Sequence, residues 1–159
     1  MSRSDLLDTE VGASIGELQV PVDTVHIFMF SAITWNRHLI HYDLNQANAE
    51  GHQSVVAQRG LLGNYFARLV IGWLAGRGEM TRLGWKVVRS AVPGDTLVCR
   101  GSVVAVDGGQ VDVALEMVND AGVVATGTAS VRIDTGDGGA AAWSRARHGT
   151  DLRPPPSTA

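Results

Sequence analysis

The sequence is poor in the residues that mark disulfide-rich, zinc-binding or nucleic-acid-binding proteins. Its 159 residues include one cysteine, Cys99, which excludes an internal disulfide framework and a cysteine-rich zinc site. Cys99 lies in an alternating apolar run, where we expect a buried structural thiol rather than a nucleophile. Charged residues make up 18% of the chain and the net charge is −3, so we expect no surface for nucleic acid.

Long apolar runs are also missing. No run is long enough to span a bilayer, and no cationic N-terminus precedes an apolar segment, so we expect a cytoplasmic protein without a membrane partner. Apolar residues make up 45% of the chain, which is typical of a globular domain. We predict a flexible N-terminus over residues 1–14, a single folded domain over residues 15–133, and a disordered tail rich in glycine, alanine and proline over residues 134–159.

Two segments have helical patterns. Asp23 or Thr24 can cap a first helix that ends near Thr34. Its apolar residues recur at i, i+3, i+4 and i+7, and we predict that they form a buried face: Val25, Phe28, Met29 and Ala32. The second helix spans residues 60–74 and is apolar on most of its surface, so we expect other elements to wrap around it.

The remaining pattern is that of strands. A short edge strand is predicted at residues 17–22, and four strands joined by turns at residues 80–89, 96–106, 111–118 and 123–133. Small residues share one face of the last strand, where a helix can approach closely: Ala125, Gly127 and Ala129. These features predict an α+β architecture in which a curved antiparallel sheet wraps around the second helix.

The densest group of chemically active side chains follows the first helix. Asn36, His38 and His41 lie within six residues of each other. A histidine with an ordinary pKa near 6.5 can accept or donate a proton at neutral pH. His38 and His41 are spaced to share a metal ion, but no third ligand is evident, so we expect no metal site.

The fold pattern and this cluster together resemble the MaoC-like acyl-thioester hydratases and dehydratases, which have the hotdog fold. The resemblance covers about residues 15–133. Residues 34–43 look more like the branch that contains the mitochondrial-type 3-hydroxyacyl-thioester dehydratases and mesaconyl-CoA hydratase. Seven residues match the form found in that branch: Thr34, Asn36, His38, Ile40, His41, Tyr42 and Asp43.

The resemblance implies a role for each residue of the cluster. His41 matches the catalytic histidine of the family, and Gly60 matches the glycine whose backbone N–H points at the thioester carbonyl. Asn36 stands where the better-known hydratases have a catalytic aspartate, and His38 stands where they have asparagine. An amide is not a base, so acid–base chemistry falls on His41 alone, with Asn36 orienting water or substrate.

Hydration of a 2-enoyl thioester needs three things. A base must deprotonate the attacking water, a proton must reach the α-carbon, and the enolate-like oxygen must be stabilised. His41 can handle the protons. The N-terminus of the 60–74 helix, where Gly60 lies, can stabilise the developing negative charge.

Each assignment has a structural alternative. His41 can be a solvated loop residue, and His38 can hold the loop by hydrogen bonds without taking part in catalysis. Asn36 can cap the C-terminus of the first helix. Gly60 can serve only the geometry of the helix start. Arg59 can meet a substrate phosphate or be an ordinary surface arginine. Asp43 is expected to cap a helix or to fix a histidine tautomer.

These features favour a hydro-lyase that needs no cofactor and acts on a thioester of CoA or acyl carrier protein. One alternative is a non-catalytic or half-catalytic hotdog subunit of a heteromeric dehydratase. A less favoured one is an acyl-CoA thioesterase, since residues 60–76 lack the carboxylate that such enzymes place near the central helix. We expect a homodimer or a heterodimer with another hotdog subunit.

Overall fold

The computed structural model describes residues 10–133. Four helical and five strand elements follow each other along the chain: β1 (Ser14–Pro21), α1 (Thr24–Thr34), a 3-10 helix (Leu39–His41), α2 (Leu44–Ala49), α3 (Arg59–Leu74), β2 (Gly78–Val87), β3 (Thr96–Asp107), β4 (Gln110–Asn119) and β5 (Gly122–Ile133). All of the predicted helices and strands are present. The expected disordered tail, and most of the expected flexible N-terminus, lie outside the described residues.

The five strands form one antiparallel sheet in the order β1-β3-β4-β5-β2. Hairpins join β3 to β4 and β4 to β5, whereas the first two strands lie at opposite edges. Pro21 ends the edge strand β1, as expected, because proline has no N–H group to give to a sheet.

The helix α3 packs against the sheet, as the sequence predicts. It contacts both edge strands as well as β3 and β5. Phe66 is fully buried in this interface. Its ring lies so near Gly127 of β5 that a methyl group placed there would be 3.5 Å from it. The small residues of β5 therefore allow the close approach that their shared face predicts.

The prediction for α1 is wrong in its orientation. The face expected to be buried, made of Val25, Phe28, Met29 and Ala32, is exposed. The helix instead buries Ile27 and Ser31. Apolar residues surround α1 on all sides, so their spacing does not identify the face that meets the core. The helix consequently exposes a broad apolar surface that the described residues of this chain do not cover.

No helix within residues 10–133 is long and apolar enough to cross a membrane.

Candidate functional site

The site is built where α1 ends. Asp23 caps its start by accepting a hydrogen bond of 2.7 Å from the N–H of His26. At the other end Trp35 takes a left-handed conformation with φ of 54°. The N–H of Asn36 then donates to the carbonyl of Ser31 at 2.9 Å, which is a common way to close a helix. The chain turns sharply here and carries the cluster back toward α3.

Asn36 stabilises the turn that follows. Its Oδ1 accepts a hydrogen bond of 3.1 Å from the backbone N–H of His38. This is the local side-chain-to-backbone bond that asparagine typically makes in turns. Trp35, not Asn36, has the left-handed conformation at the helix end. The side chain of Asn36 therefore shapes the loop that positions the histidines.

His41 is the buried member of the cluster, with 8% of its surface exposed. Its Nδ1 lies 2.7 Å from the carbonyl oxygen of Val56. A carbonyl can only accept, so Nδ1 carries the proton and Nε2 has a free lone pair. Burial lowers the pKa of His41 below its ordinary value of 6.5. The hydrogen bond to Val56 opposes this effect, and the nearby His38 and His52 add to it. His41 is thus held as a neutral base.

His38 lies next to His41 but at the surface. The two rings are nearly perpendicular, with centroids 5.7 Å apart. The Nε2 atom of His38 is 3.5 Å from a carboxylate oxygen of Glu50, in an exposed pair. His38 therefore influences His41 mainly through its charge when protonated.

A cavity of about 290 Å³ adjoins His41. Its walls are largely apolar and come from α1, α2 and the loop before α3: Thr24, Phe28, Tyr42, Leu44, Ser54 and Val55. A smaller cavity of about 150 Å³ is lined by Asn36 and Ser31. Phe28 and Tyr42 line both. Asn36 and His41 thus flank neighbouring spaces separated by these two aromatic residues.

Gly60 lies in the first turn of α3. In the described part of the chain the N–H groups of residues 59–61 have no hydrogen-bond acceptor, as is usual for the first turn of a helix, and such groups favour an anion. Gly60 does not line the His41 cavity. A methyl group at Gly60 would be 3.1 Å from the ring of Phe30, so part of its role is to let this ring pack.

Arg59 is joined to Trp85 on the edge strand β2. Its guanidinium donates to the carbonyl of Trp85 at 3.0 Å and lies 5.0 Å from the centre of the indole ring. The indole N–H donates in return to the carbonyl of Arg59 at 2.9 Å. The geometry favours a structural role for Arg59 at the start of α3.

Asp43 has the capping role that was one of its two expected roles. Its carboxylate accepts hydrogen bonds from the N–H groups of Asn45 and Gln46 and so begins α2. Among residues 10–133, no three histidine, cysteine or acidic side chains are grouped so that they could hold a metal ion.

Sequence reasoning missed two polar residues near the site. Gln58, just before α3, is 2% exposed, and its side-chain NH₂ donates to the carbonyl of Ile27 and to the hydroxyl of Ser31, each at 2.7 Å. No motif or spacing singles out either residue, because the two lie 27 positions apart and meet only in the folded chain.

Comparison with known proteins places this geometry in a family. The family of hydroxyacyl-thioester dehydratases type 2 matches residues 9–90, just over half of the chain. No curated protein sequence matches.

Several solved structures share the fold. The ChsH1-ChsH2 complex of Mycobacterium tuberculosis has a chain 24% identical with a TM-score of 0.75, covering 79% of this chain and 98% of its own. The (R)-hydratase of A. caviae involved in PHA biosynthesis is 18% identical with a TM-score of 0.73 and the same coverage. The truncated HadBC 3R-hydroxyacyl-ACP dehydratase complex of M. tuberculosis is 15% identical, with a TM-score of 0.66, covering 76% and 96%.

These likenesses confirm the predicted hotdog fold. The family match agrees with the resemblance read from residues 34–43, and it extends over the cluster, the 3-10 helix and all of α3. The chain belongs to the hydroxyacyl-thioester dehydratase type 2 family.

Proposed function

We propose that this protein catalyses the reversible hydration of a 2-enoyl thioester, with His41 as the general acid and base. The observation that carries the proposal is the state of His41: it is buried beside an apolar cavity, and its Nδ1–H is held by Val56, so that Nε2 is left as a base. Membership of a dehydratase family supports the reaction class.

In the proposed reaction the lone pair of Nε2 takes a proton from water as the oxygen bonds to the β-carbon. The electrons of the double bond move to the thioester oxygen, forming an enolate. The imidazolium then returns a proton to the α-carbon, so that one water is added in total. Dehydration of a 3-hydroxyacyl thioester follows the same steps in reverse.

The start of α3 is the candidate for stabilising the enolate. The free N–H groups near Gly60 and the positive end of the helix dipole favour negative charge. In the proposal the thioester lies between this helix start and His41. Either a CoA or an acyl-carrier thioester fits this chemistry, and no cofactor is needed for it.

The direct test is turnover of crotonyl-CoA by the purified full chain, followed by loss of enoyl absorbance. We expect His41→Ala to lower kcat by roughly 100- to 10,000-fold, the usual contribution of a general base. His26→Ala is a matched control because this histidine is exposed on α1, and within residues 10–133 its side chain pairs with Asp23. Equal activity of wild type and His41→Ala would refute the mechanism. Release of free thiol from the thioester would instead indicate a thioesterase.

A second candidate function is a half-catalytic subunit of a heteromeric dehydratase. Two observations favour it. Asn36 stands where the resemblance places the catalytic aspartate of the better-known hydratases. The helix α1 exposes apolar residues over 48–77% of their surface: Val25, Phe28, Met29 and Ile33. Similar chains occur in the ChsH1-ChsH2 and HadBC complexes. We propose that a second hotdog subunit, identical or different, covers this face of α1.

The substitution Asn36→Asp separates the two candidates. Aspartate keeps an acceptor for the His38 N–H and adds a carboxylate beside the cavities. A half-catalytic chain would be inactive alone and gain hydratase activity through this change or through co-expression with a second hotdog subunit. A chain that works with one histidine would be active without either the substitution or the second subunit.

Light scattering of the wild type and of Ile33→Glu tests whether the exposed face of α1 binds a second subunit. We expect the variant to lose association.

A further inference from the structure

Three buried polar side chains gather around the candidate site. Apart from Tyr65, the polar residues that are buried within residues 10–133 are Ser31, His41 and Gln58. Burying a polar group is unfavourable unless its hydrogen bonds are replaced. The proposed reaction uses His41 as its acid and base, whereas Ser31 and Gln58 take no direct part in it.

Gln58 occupies a segment to which the rest of the site is attached. Two residues earlier, the carbonyl of Val56 holds Nδ1 of His41, and the N–H of Val56 donates to Ile40 at 3.1 Å. Directly after Gln58 come Arg59 and Gly60, whose N–H groups are the proposed enolate site. Residues 56–60, which we call the strap, therefore connect His41, the proposed base, to the N-terminus of α3.

The side chain of Gln58 fastens this strap to α1. Its NH₂ group donates to the carbonyl of Ile27 and to the hydroxyl oxygen of Ser31. The opposite orientation of the amide would place two oxygens, Oε1 and the carbonyl of Ile27, against each other, so the NH₂ must face α1. We call the two hydrogen bonds of the Gln58 side chain the clamp. The backbone carbonyl of Ser31 accepts the N–H of Asn36, so the clamp is connected to the end of α1.

The other half of the amide has no partner within residues 10–133. Gln58 Oε1 is buried and has no hydrogen-bond partner among the described residues. An unpaired buried acceptor is costly, whereas apolar side chains at both positions 31 and 58 would avoid that cost. A residue present only to fill the core would be apolar here.

We propose that Gln58 is a positioning residue: through Ser31 and Ile27 it holds the Asn36–His41 segment at a fixed distance from the N-terminus of α3. This inference rests on the proposed function, because both parts of the reacting geometry meet at the strap. Small displacements of reacting groups reduce rates strongly, while substrate affinity depends on them much less.

The test uses Gln58→Met, which has nearly the same length but no polar group, and Gln53→Met as the control on an exposed position. We expect kcat on crotonyl-CoA to fall roughly 10- to 100-fold in Gln58→Met, with KM changed less than about twofold. The urea midpoint should change little, because the variant removes the unpaired Oε1 but also removes the donor to the hydroxyl of Ser31. Amide hydrogen exchange in α1 should become faster, which the Gln53 control should not show.

The proposal would be overturned if Gln58→Met kept the kcat of the wild type. It would also be overturned if kcat fell only because the variant is less stable, as shown by a lower urea midpoint. If Gln58→Met does not fold, Ser31→Ala provides the test, since it removes one of the two acceptors. We expect a smaller fall in kcat, roughly threefold, and unchanged kcat would overturn the proposal. If the wild type hydrates no enoyl thioester, the proposed function fails. The clamp is then judged by α1 exchange alone, and equal exchange in Gln58→Met and wild type refutes it.

Discussion

Gly63 and Gly72 offer the same substitution on the same helix with opposite expected results. Both lie in α3, and neither has a positive φ. A methyl group at Gly63 would lie closer than 3.0 Å to three ring atoms of Trp85, whereas one at Gly72 would meet no atom within 4 Å. Gly72→Ala thus reports the helix propensity of alanine, and Gly63→Ala reports that propensity together with the clash.

The magnitudes follow from these distances. Alanine favours a helix over glycine by about 1 kcal/mol, so Gly72→Ala should be more stable by up to that amount. Overpacking costs about 1–3 kcal/mol, and displacing the ring of Trp85 also endangers its hydrogen bond to Arg59, worth about 1 kcal/mol. After subtracting the helix term, Gly63→Ala should lose about 1–3 kcal/mol.

Urea denaturation of the two variants and wild type measures both changes in the free energy of unfolding. Equal m-values would show that the denatured states are comparable. If Gly63→Ala proved as stable as Gly72→Ala, the Trp85 ring would not lie against α3 as described. A double variant Gly63→Ala with Trp85→Leu should lose less than the sum of the single changes, since the smaller side chain makes room for the methyl group.

Three further predictions concern single side chains. Since burial lowers the pKa of His41, kcat/KM for crotonyl-CoA should fall as the pH decreases, with a midpoint below 6.5. His38→Gln should raise that midpoint, and an unchanged midpoint would contradict the electrostatic coupling between the two histidines. Cys99 is buried and its pKa is raised to about 12, so Ellman's reagent should react with it in urea but not in the native protein. Asp43→Ala should lower stability by about 1 kcal/mol in thermal unfolding, through loss of the α2 cap, whereas Asp43→Asn should keep most of it.

The pH dependence of stability has the same origin and a definite sign. In the folded protein His41 binds a proton less readily than in the unfolded chain, where its pKa is near 6.5. The unfolded state therefore takes up more protons as the pH falls through 6.5, and the fold loses stability until the folded pKa is passed. Above pH 6.5 this contribution is fully present, and in His41→Ala it should disappear.

The sequence predicts the elements well because periodicity reports local geometry. The sheet and α3 were predictable since their apolar residues recur with periods near 2 and 3.6, and since glycine and proline mark the turns between the strands. The face of α1 was not, because an apolar helix has no polar side to orient it. Val25 and Phe28 match the pattern of buried residues, and it is their neighbour Ile27 that reaches the core.

The site was predictable in part for a related reason. Residues 34–43 are contiguous, so their resemblance to a family can be read directly. The contacts around His41 join residues that are far apart in the sequence. Val56 follows His41 by 15 positions, and Gln58 bonds to Ile27 and Ser31, which precede it by 31 and 27 positions. Such pairs leave no periodic signal, and they become visible only when the fold brings them together.

Asn36 and the exposed face of α1 are connected through Phe28, which lines both the His41 cavity and the smaller cavity beside Asn36. Phe28 and Leu44 line the space beside His41 and are also about half exposed, so the cavity opens onto the apolar surface. A subunit that covers α1 would close this cavity and remove water from His41, whose pKa burial already lowers. In the proposed heteromer the same subunit would also supply a carboxylate near Asn36, where this chain has only an amide. Closing the cavity and supplying an acid are therefore two effects that one partner can have, and the α1 face is where both would act.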